Sequence, residues 1–262
     1  MRILVTNDDG VESPGLQALA TALVNDGHDV VVVAPADDRS GAGASIGRLW
    51  DGPPPVGRHE WPELPGLPVH SIDAPPGAAV LAACLGAFGD PPDLVVSGIN
   101  PGANTGHLVL HSGTVGATLT GAGYGVPGIA VSMAWSEQPA AYHWETAAQV
   151  AVAAVEWAVM PDGAPRVLNI NVPNLEAGDL KGVQEAELAP HGEVWIASAN
   201  VSEGDLKLEV KGRADAAPGT DVALVRDGYV SVTPLMSIVR SPVTGAATAV
   251  AVALERAIRL RG

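Results

Sequence analysis

Along the first 135 residues, short unbroken apolar runs alternate with segments whose apolar positions recur every three to four residues. The run Arg2-Ile3-Leu4-Val5-Thr6 opens the chain, and Val30-Val31-Val32-Val33-Ala34 follows, stopped by Pro35. Runs of β-branched residues suit strands covered on both faces. Between them Leu16, Leu19 and Leu23 recur at helical spacing and predict a helix over residues 14–25. Ser13 suits its N-cap, Pro14 its first position, and Gly27 a left-handed closure. Further strands are predicted near His70-Ser71-Ile72, over 94–97 and over 128–132, with helices over 77–88 and from about Ser112. Strand, helix, strand with short connections predicts an α/β fold built on a doubly wound parallel sheet.

The later pattern is less regular. Residues 144–160 read as a helix with an apolar stripe at Ala147, Val150, Ala151, Ala154 and Val155. A short strand over 168–172 ends at Pro173. From about residue 175 strands and turns are predicted, at 194–196, 206–210 and 229–233, and then a final helix over 246–260. The Pro- and Gly-rich segment 47–68 reads as a long loop or irregular insertion. No internal repeat is visible.

Composition narrows the function. The net charge is −15, and such a surface lacks the basic footprint that nucleic acid requires. An anionic substrate then needs a local source of positive potential, such as a cation or a helix N-terminus. No apolar run reaches the ~20 residues of a membrane span. The N-terminus carries no basic-then-apolar leader, so a cytoplasmic location is expected. The single cysteine, Cys84, lies in an Ala- and Leu-rich run and reads as a buried structural thiol.

Three stretches that follow predicted strands carry oxygen-bearing side chains. They are Asp8-Asp9-Gly10, the segment Asp37-Asp38-Arg39-Ser40-Gly41-Ala42-Gly43, and Ser97-Gly98-Ile99-Asn100 with Gly102, Asn104 and Gly106. In a parallel sheet all three converge on the carboxyl edge. Two adjacent carboxylates raise each other's pKa, and a bound cation removes that penalty. Carboxylate, hydroxyl and amide oxygens suit Mg²⁺, Mn²⁺ or Ca²⁺, and no Cys/His cluster has zinc spacing. Spacing alone indicates a hard-metal or phosphate site and leaves the substrate open. The Gly-rich loop from Gly102 to Gly106 and the predicted helix start at Ser112-Gly113-Thr114 are further anion-binding devices.

These stretches resemble the survival protein SurE family of metal-dependent nucleotidases. The resemblance runs through Asn7-Asp8-Asp9-Gly10, Arg39-Ser40-Gly41, Ser97-Gly98-Ile99-Asn100, Ser112-Gly113-Thr114-Val115, Leu168–Pro173, Gly219-Thr220-Asp221 and Gly228–Leu235. It spans nearly the whole chain in the family's order. It implies one divalent cation, Mg²⁺ or Mn²⁺, held by Asp8, Asp9, Ser40 and Asn100. It implies hydrolysis of nucleoside 5′- and 3′-monophosphates, with Asp8 or Asp9 as the base. The substrate contacts expected with it are Gly41, Gly43, Asn104, Ser112, Gly113 and Thr114. It also implies a Rossmann-like core over 1–174, and a β-rich extension with a terminal helix over 175–262 that builds a homodimer or homotetramer.

The chain departs from the family's pattern in three places. Gly77 stands where the family has an Asp, Thr120 where it has a Glu, and His111 where it often has a Tyr before Ser-Gly-Thr-Val. These departures leave room for a metal- and nucleotide-binding protein with reduced turnover. A nucleotide-cofactor oxidoreductase is disfavoured, because no Gly-x-Gly-x-x-Gly follows the first strand. Of the loop residues outside the resemblance, Asp37 and Asp38 read as solvated. His107 and His111 read as exposed loop histidines. Trp61, Trp135, Trp144 and Trp195 read as packing residues rather than base-stacking ones.

Overall fold

Alternate residues of the first strand enter opposite layers of the core. In β1 (Arg2–Thr6), Ile3 and Val5 join one apolar cluster and Leu4 the other, all fully buried. β2 (Asp29–Pro35) repeats the pattern, with Val30 and Val32 on one side and Val31 and Val33 on the other. The computed structural model describes residues 1–48, 52–136, 142–160, 166–202, 205–212, 216–236, 238, 247, 250 and 251.

The remaining strands are β3 (Val56–His59), β4 (Val69–Ile72), β5 (Leu94–Pro101), β6 (Gly128–Met133), β7 (Val167–Val172), β8 (Val183–Glu185), β9 (Val194–Ser202), β10 (Asp205–Gly212) and β11 (Val230–Leu235). Nine of these strands form one sheet in the order β3-β4-β2-β1-β5-β6-β7-β11-β8. Its six middle members, β4 to β7, run parallel, while β3 and β11 run against their neighbours β4 and β7. β9 and β10 form a separate antiparallel ribbon. This is the expected α/β, doubly wound, mostly parallel architecture.

Helices cover both faces of the sheet. α1 (Pro14–Asn25) and α4 (Trp144–Ala158) pack over one face, through Leu16, Leu19, Leu23, Ala147, Ala151 and Val155. α2 (Pro76–Cys84) and α3 (Gly113–Gly123) pack over the other, through Ala79, Val80, Ala83 and Ala117. Burying each of the three leucines of α1 stabilises the fold by roughly 2 kcal/mol. Ser13 Oγ accepts from Leu16 N–H at the start of α1. At its end, His28 N–H donates to Leu23 C=O and Gly27 N–H to Val24 C=O, with Gly27 at φ +87°. This left-handed closure satisfies the last carbonyls of the helix.

Several sequence expectations need correction or relocation. The segment 47–68 is not wholly irregular: β3 lies in it, and Trp61 packs into the α1 core at 6% exposure. An edge strand is held by backbone pairing alone, so β3 carries no apolar alternation to reveal it. β5 runs four residues beyond the predicted Ser97, through a register shift between Ser97 and Asn100. β8 and β11, from the part of the chain expected to form the extension, lengthen the core sheet. The final helix expected over 246–260 lies almost entirely outside the described residues, of which Ala247, Val250 and Ala251 are helical. Among the described residues no helix is long and apolar enough to cross a membrane.

Asp221, at the start of α5 (Asp221–Arg226), ties this later part to the sheet's carboxyl edge. It is fully buried. Oδ2 accepts from Gly106 N–H at 2.7 Å, and Oδ1 from Ala189 N–H at 3.0 Å and Val222 N–H at 2.8 Å. Gly106 has φ +57°, and a Cβ there would lie 2.6 Å from the His191 carbonyl carbon. Replacing Asp221 by Ala leaves three amides without an acceptor. Asp221→Ala is expected to lower the unfolding free energy by about 3 kcal/mol or more. Denaturant melts of the two proteins measure this, and a change under about 1 kcal/mol would refute the tie.

Candidate active site

The chain runs outward from β1 through β2 to β4, then returns to lay β5 on the other side of β1. The loops after β1 and β5 therefore diverge, and the crevice between them is where open α/β sheets bind ligands. A cleft of ≈ 470 Å³ opens there. It is lined by Asp8, Asp9, Asp38, Ser40, Gly41, Asn100, Pro101, Asn104, Leu108, His111 and Ser112. The four expected cation ligands, Asp8, Asp9, Ser40 and Asn100, are all among them.

Asp8 is 3% exposed and is held by the first turn of α3. Oδ2 accepts from Gly113 N–H at 3.1 Å and Oδ1 from the Thr114 hydroxyl at 2.6 Å. A Cβ on residue 113 would sit 2.7 Å from the Asp8 carboxylate, so glycine is required for this approach. Burial pushes the Asp8 carboxyl above its ordinary range, while the Thr114 hydroxyl and the α3 amides pull the other way. Asp9 has no such support. Its Oδ2 is buried without a hydrogen-bond partner. Burial, then Asp8, then Asp38 push its pKa up to about 7.

The second loop delivers Ser40 through Asp38. Asp38 Oδ1 accepts from Ser40 N–H at 2.7 Å and from the Ser40 hydroxyl at 2.6 Å. The hydroxyl proton is thus directed away, and its lone pairs are left for another partner. Asp38 is exposed, as expected, but it also holds Ser40 and lines the cleft. The third loop brings Asn100, whose Nδ2 donates to Gly102 C=O at 2.5 Å, leaving Oδ1 as the free atom. The register shift before Asn100 centres on Gly98 at φ +131°, where a Cβ would lie 2.2 Å from Val131 C=O. Only glycine allows that turn of the strand.

The expected substrate contacts divide into two groups. Gly41, Asn104 and Ser112 line the cleft. Asn104 is fixed by Asn171 Oδ1, which accepts its N–H at 2.7 Å, and by Ser132 Oγ, which accepts from its Nδ2 at 2.8 Å. Its carbonyl accepts from the amides of Asn169 and Asn171. Ser112 also caps α3, accepting from Val115 N–H at 3.1 Å. Gly43, Gly113 and Thr114 do not line the cleft. Gly113 and Thr114 serve Asp8, because a buried carboxylate takes the helix's first donors. Gly43 N–H donates to His111 C=O at 3.1 Å, seating one loop against the other.

His111 and Asp38 are cleft residues that the sequence reading passed over; the only available signal was the histidine in the place of the family's tyrosine. His107 lies outside the cleft, in the wall of an apolar groove. Trp61 is buried, Trp144 stacks on Tyr142 at 4.4 Å, and Trp135 is exposed, all away from the cleft. The side chain of Trp195 lies outside the described residues. Gly77 and Thr120 prove to be neighbours at the α2–α3 contact, outside the cleft: a Cβ on Gly77 would lie 3.3 Å from Thr120 Oγ1 and 2.7 Å from Ser45 C=O. Cys84 is half-buried rather than buried as expected, and that partial burial pushes its thiol up.

A divalent cation fits this donor set. Among the described residues no trio of His, Cys, Asp and Glu gathers. The oxygens present are hard donors. Thr6 Oγ1 at the end of β1, Asn7 Oδ1 and Asp9 Oδ2 in the loop that follows, and Ser97 Oγ opposite Thr6 in β5 are buried without a partner.

Comparison with known proteins gives one family. The model of the family described as survival protein SurE matches residues 3–193. The chain is 38% identical over 251 residues to 5′-nucleotidase SurE of Xanthomonas campestris pv. campestris strain B100, covering 90% of this chain and 89% of that one. It is 36% identical over 253 residues to 5′-nucleotidase SurE of Xylella fastidiosa strain 9a5c, with the same coverage of 90% and 89%. The crystal structure of the Sure protein from Aquifex aeolicus superposes with a TM-score of 0.74 at 32% identity, over 92% of this chain and 95% of that one.

The raised Asp9 carboxyl sets a pH dependence for the metal-free protein. Its folded pKa of about 7 lies above the ordinary value of about 4. Its contribution is therefore complete below pH ~4 and is lost as the pH rises through ~7. Asp9→Asn removes the buried charge and is expected to melt higher than the parent at pH 8 in EDTA, with a smaller gap at pH 5. Thermal melts at the two pH values decide it; an equal gap at both would sink the assignment.

Proposed function

The chain belongs to the survival protein SurE family, and from that premise we infer that it is a phosphoric monoester hydrolase acting on nucleoside monophosphates. The names of its relatives and the cleft at the sheet's switch point support this reading together. The observation that carries it is the convergence of Asp8, Asp9, Ser40 and Asn100, from three separate loops, on one cleft. In this reading those four residues hold one divalent cation, Mg²⁺ or Mn²⁺. When bound, it neutralises phosphoryl oxygens and makes a nearby water more acidic.

The protein's own groups supply the rest. Asp8 is engaged by α3, so Asp9, with an oxygen that no donor holds, is the carboxylate placed to receive a proton from the attacking water. Asp38 keeps the lone pairs of Ser40 turned outward. Gly41, Asn104 and Ser112 contact the substrate phosphate or sugar, and the network from Asn169 and Asn171 holds Asn104 in register for that contact. Gly43, Gly113 and Thr114 support the site from behind. Activity on both 5′- and 3′-monophosphates and a cytoplasmic location belong to the same proposal.

Assembly as a homodimer or homotetramer through the part over 175–262 completes it. A groove of ≈ 940 Å³, walled by Leu110, Leu119, Tyr124, Leu188, Leu235 and Met236, supports this assembly. Leu110 and Met236, on its wall, are each 75% exposed.

Purified protein is expected to release phosphate from AMP with Mg²⁺ or Mn²⁺ and to stop when EDTA is added. Asp8→Asn is expected to lose about 10²-fold or more in kcat. Unchanged turnover in EDTA, or full activity of Asp8→Asn, would refute the site. Light scattering should report a mass of two or four chains, and Leu110→Asp should lower it.

A further inference from the structure

The cleft holds three carboxylates and a single nitrogen base. Among its described lining residues, His111 is the only basic side chain. Splitting a phosphate ester releases an alkoxide-like oxygen, which departs poorly unless it gains a proton as the bond breaks. Other donors in the cleft are already committed. The Ser40 hydroxyl donates to Asp38, the Asn100 amide to Gly102 and the Asn104 amide to Ser132. Ser112 Oγ accepts from the Val115 N–H of α3, and its own hydroxyl proton is far less acidic than that of an imidazolium. Asp8 is held by Gly113 and Thr114. An imidazole gives and takes a proton near neutrality, which none of these groups does as readily.

The backbone around His111 is built to hold it still. Its carbonyl accepts from Gly43 N–H at 3.1 Å. Gly43 has φ +55°, and a Cβ there would lie 3.0 Å from Leu110 C=O, so a larger residue would force the two loops apart. Ser112, next in the chain, is fixed as the N-cap of α3. The main chain is thus anchored on both sides while the imidazole itself is exposed to the cleft.

We propose that His111 is a catalytic residue, the acid that protonates the leaving nucleoside oxygen. The proposal rests on the phosphomonoesterase reading above. Water oxygen bonds to phosphorus while the bond from phosphorus to the nucleoside oxygen breaks, its electron pair going to that oxygen. The imidazolium N–H proton passes to the same oxygen. The proton shed by the attacking water goes to Asp9, and the imidazole is recharged from solvent before the next turnover.

The leaving group tests this. AMP must expel an alkoxide-like oxygen, whereas p-nitrophenyl phosphate expels a phenolate that departs without a proton. His111→Gln is expected to lower kcat on AMP by about 10²-fold while changing kcat on p-nitrophenyl phosphate by less than about threefold. Equal loss on both substrates, or unchanged AMP turnover, would overturn the role. The variant is first shown to keep the Mn²⁺-induced rise in melting temperature, and His111→Asn replaces it where it does not. If the parent protein hydrolyses neither substrate, the function reading fails instead.

Discussion

A carboxylate buried at the end of β1 is tolerable here because the first turn of α3 points its donors at it. Gly113 N–H and the Thr114 hydroxyl meet the two oxygens of Asp8, and residue 113 has no Cβ to stand between them. A helix N-terminus carries partial positive charge and unpaired amides, so the sheet's acid and the helix's start satisfy one another. One side of the cleft is placed from that junction. Asp9 follows Asp8 in the chain and is left without a donor. Arg39 N–H donates to Asp8 C=O at 2.7 Å, which draws the loop bearing Asp38 and Ser40 alongside. His111 and Ser112 immediately precede the helix turn.

This arrangement also answers how a chain with a net charge of −15 can hold a dianionic ester. Among the described residues no lysine or arginine lines the cleft. The helix dipole is used to stabilise a carboxylate, not to meet the phosphate directly. In the proposed function, positive potential for the substrate comes from a cation gathered by the acids. The acids are means of attracting charge, and their mutual repulsion is what makes the site receptive to it.

Much of the framework was legible in the sequence. Ile3 to Val5 and Val30 to Val33 read as strands buried on both faces. Ser13, Pro14 and Gly27 bounded α1 correctly, because caps are local chemistry. The three oxygen-bearing loops followed from the rule that parallel strands present their carboxyl ends together. What was hidden depended on partners distant in sequence. β3 is an edge strand whose pairing leaves no apolar signature. The strand expected over 229–233 reads as part of a separate extension, whereas β11 pairs with β7 and brings β8, which no local pattern marks, into the core sheet. Gly113 and Thr114 read as phosphate binders because nothing local tells which anion a helix start will receive. Asp38 looked solvated, and it is exposed, but its hold on Ser40 arises only once the loop closes.

The contact between Gly77 and Thr120 has a consequence for how this sequence can change. Gly77 on α2 lies against Thr120 on α3, and the Ser45 main chain fills the room that a side chain at 77 would need. Any side chain at 77 would strike the backbone of the Ser45 loop, whatever stands at 120. Position 77 is therefore closed to enlargement unless the Ser45 loop gives way first, so that loop sets how closely α2 and α3 approach.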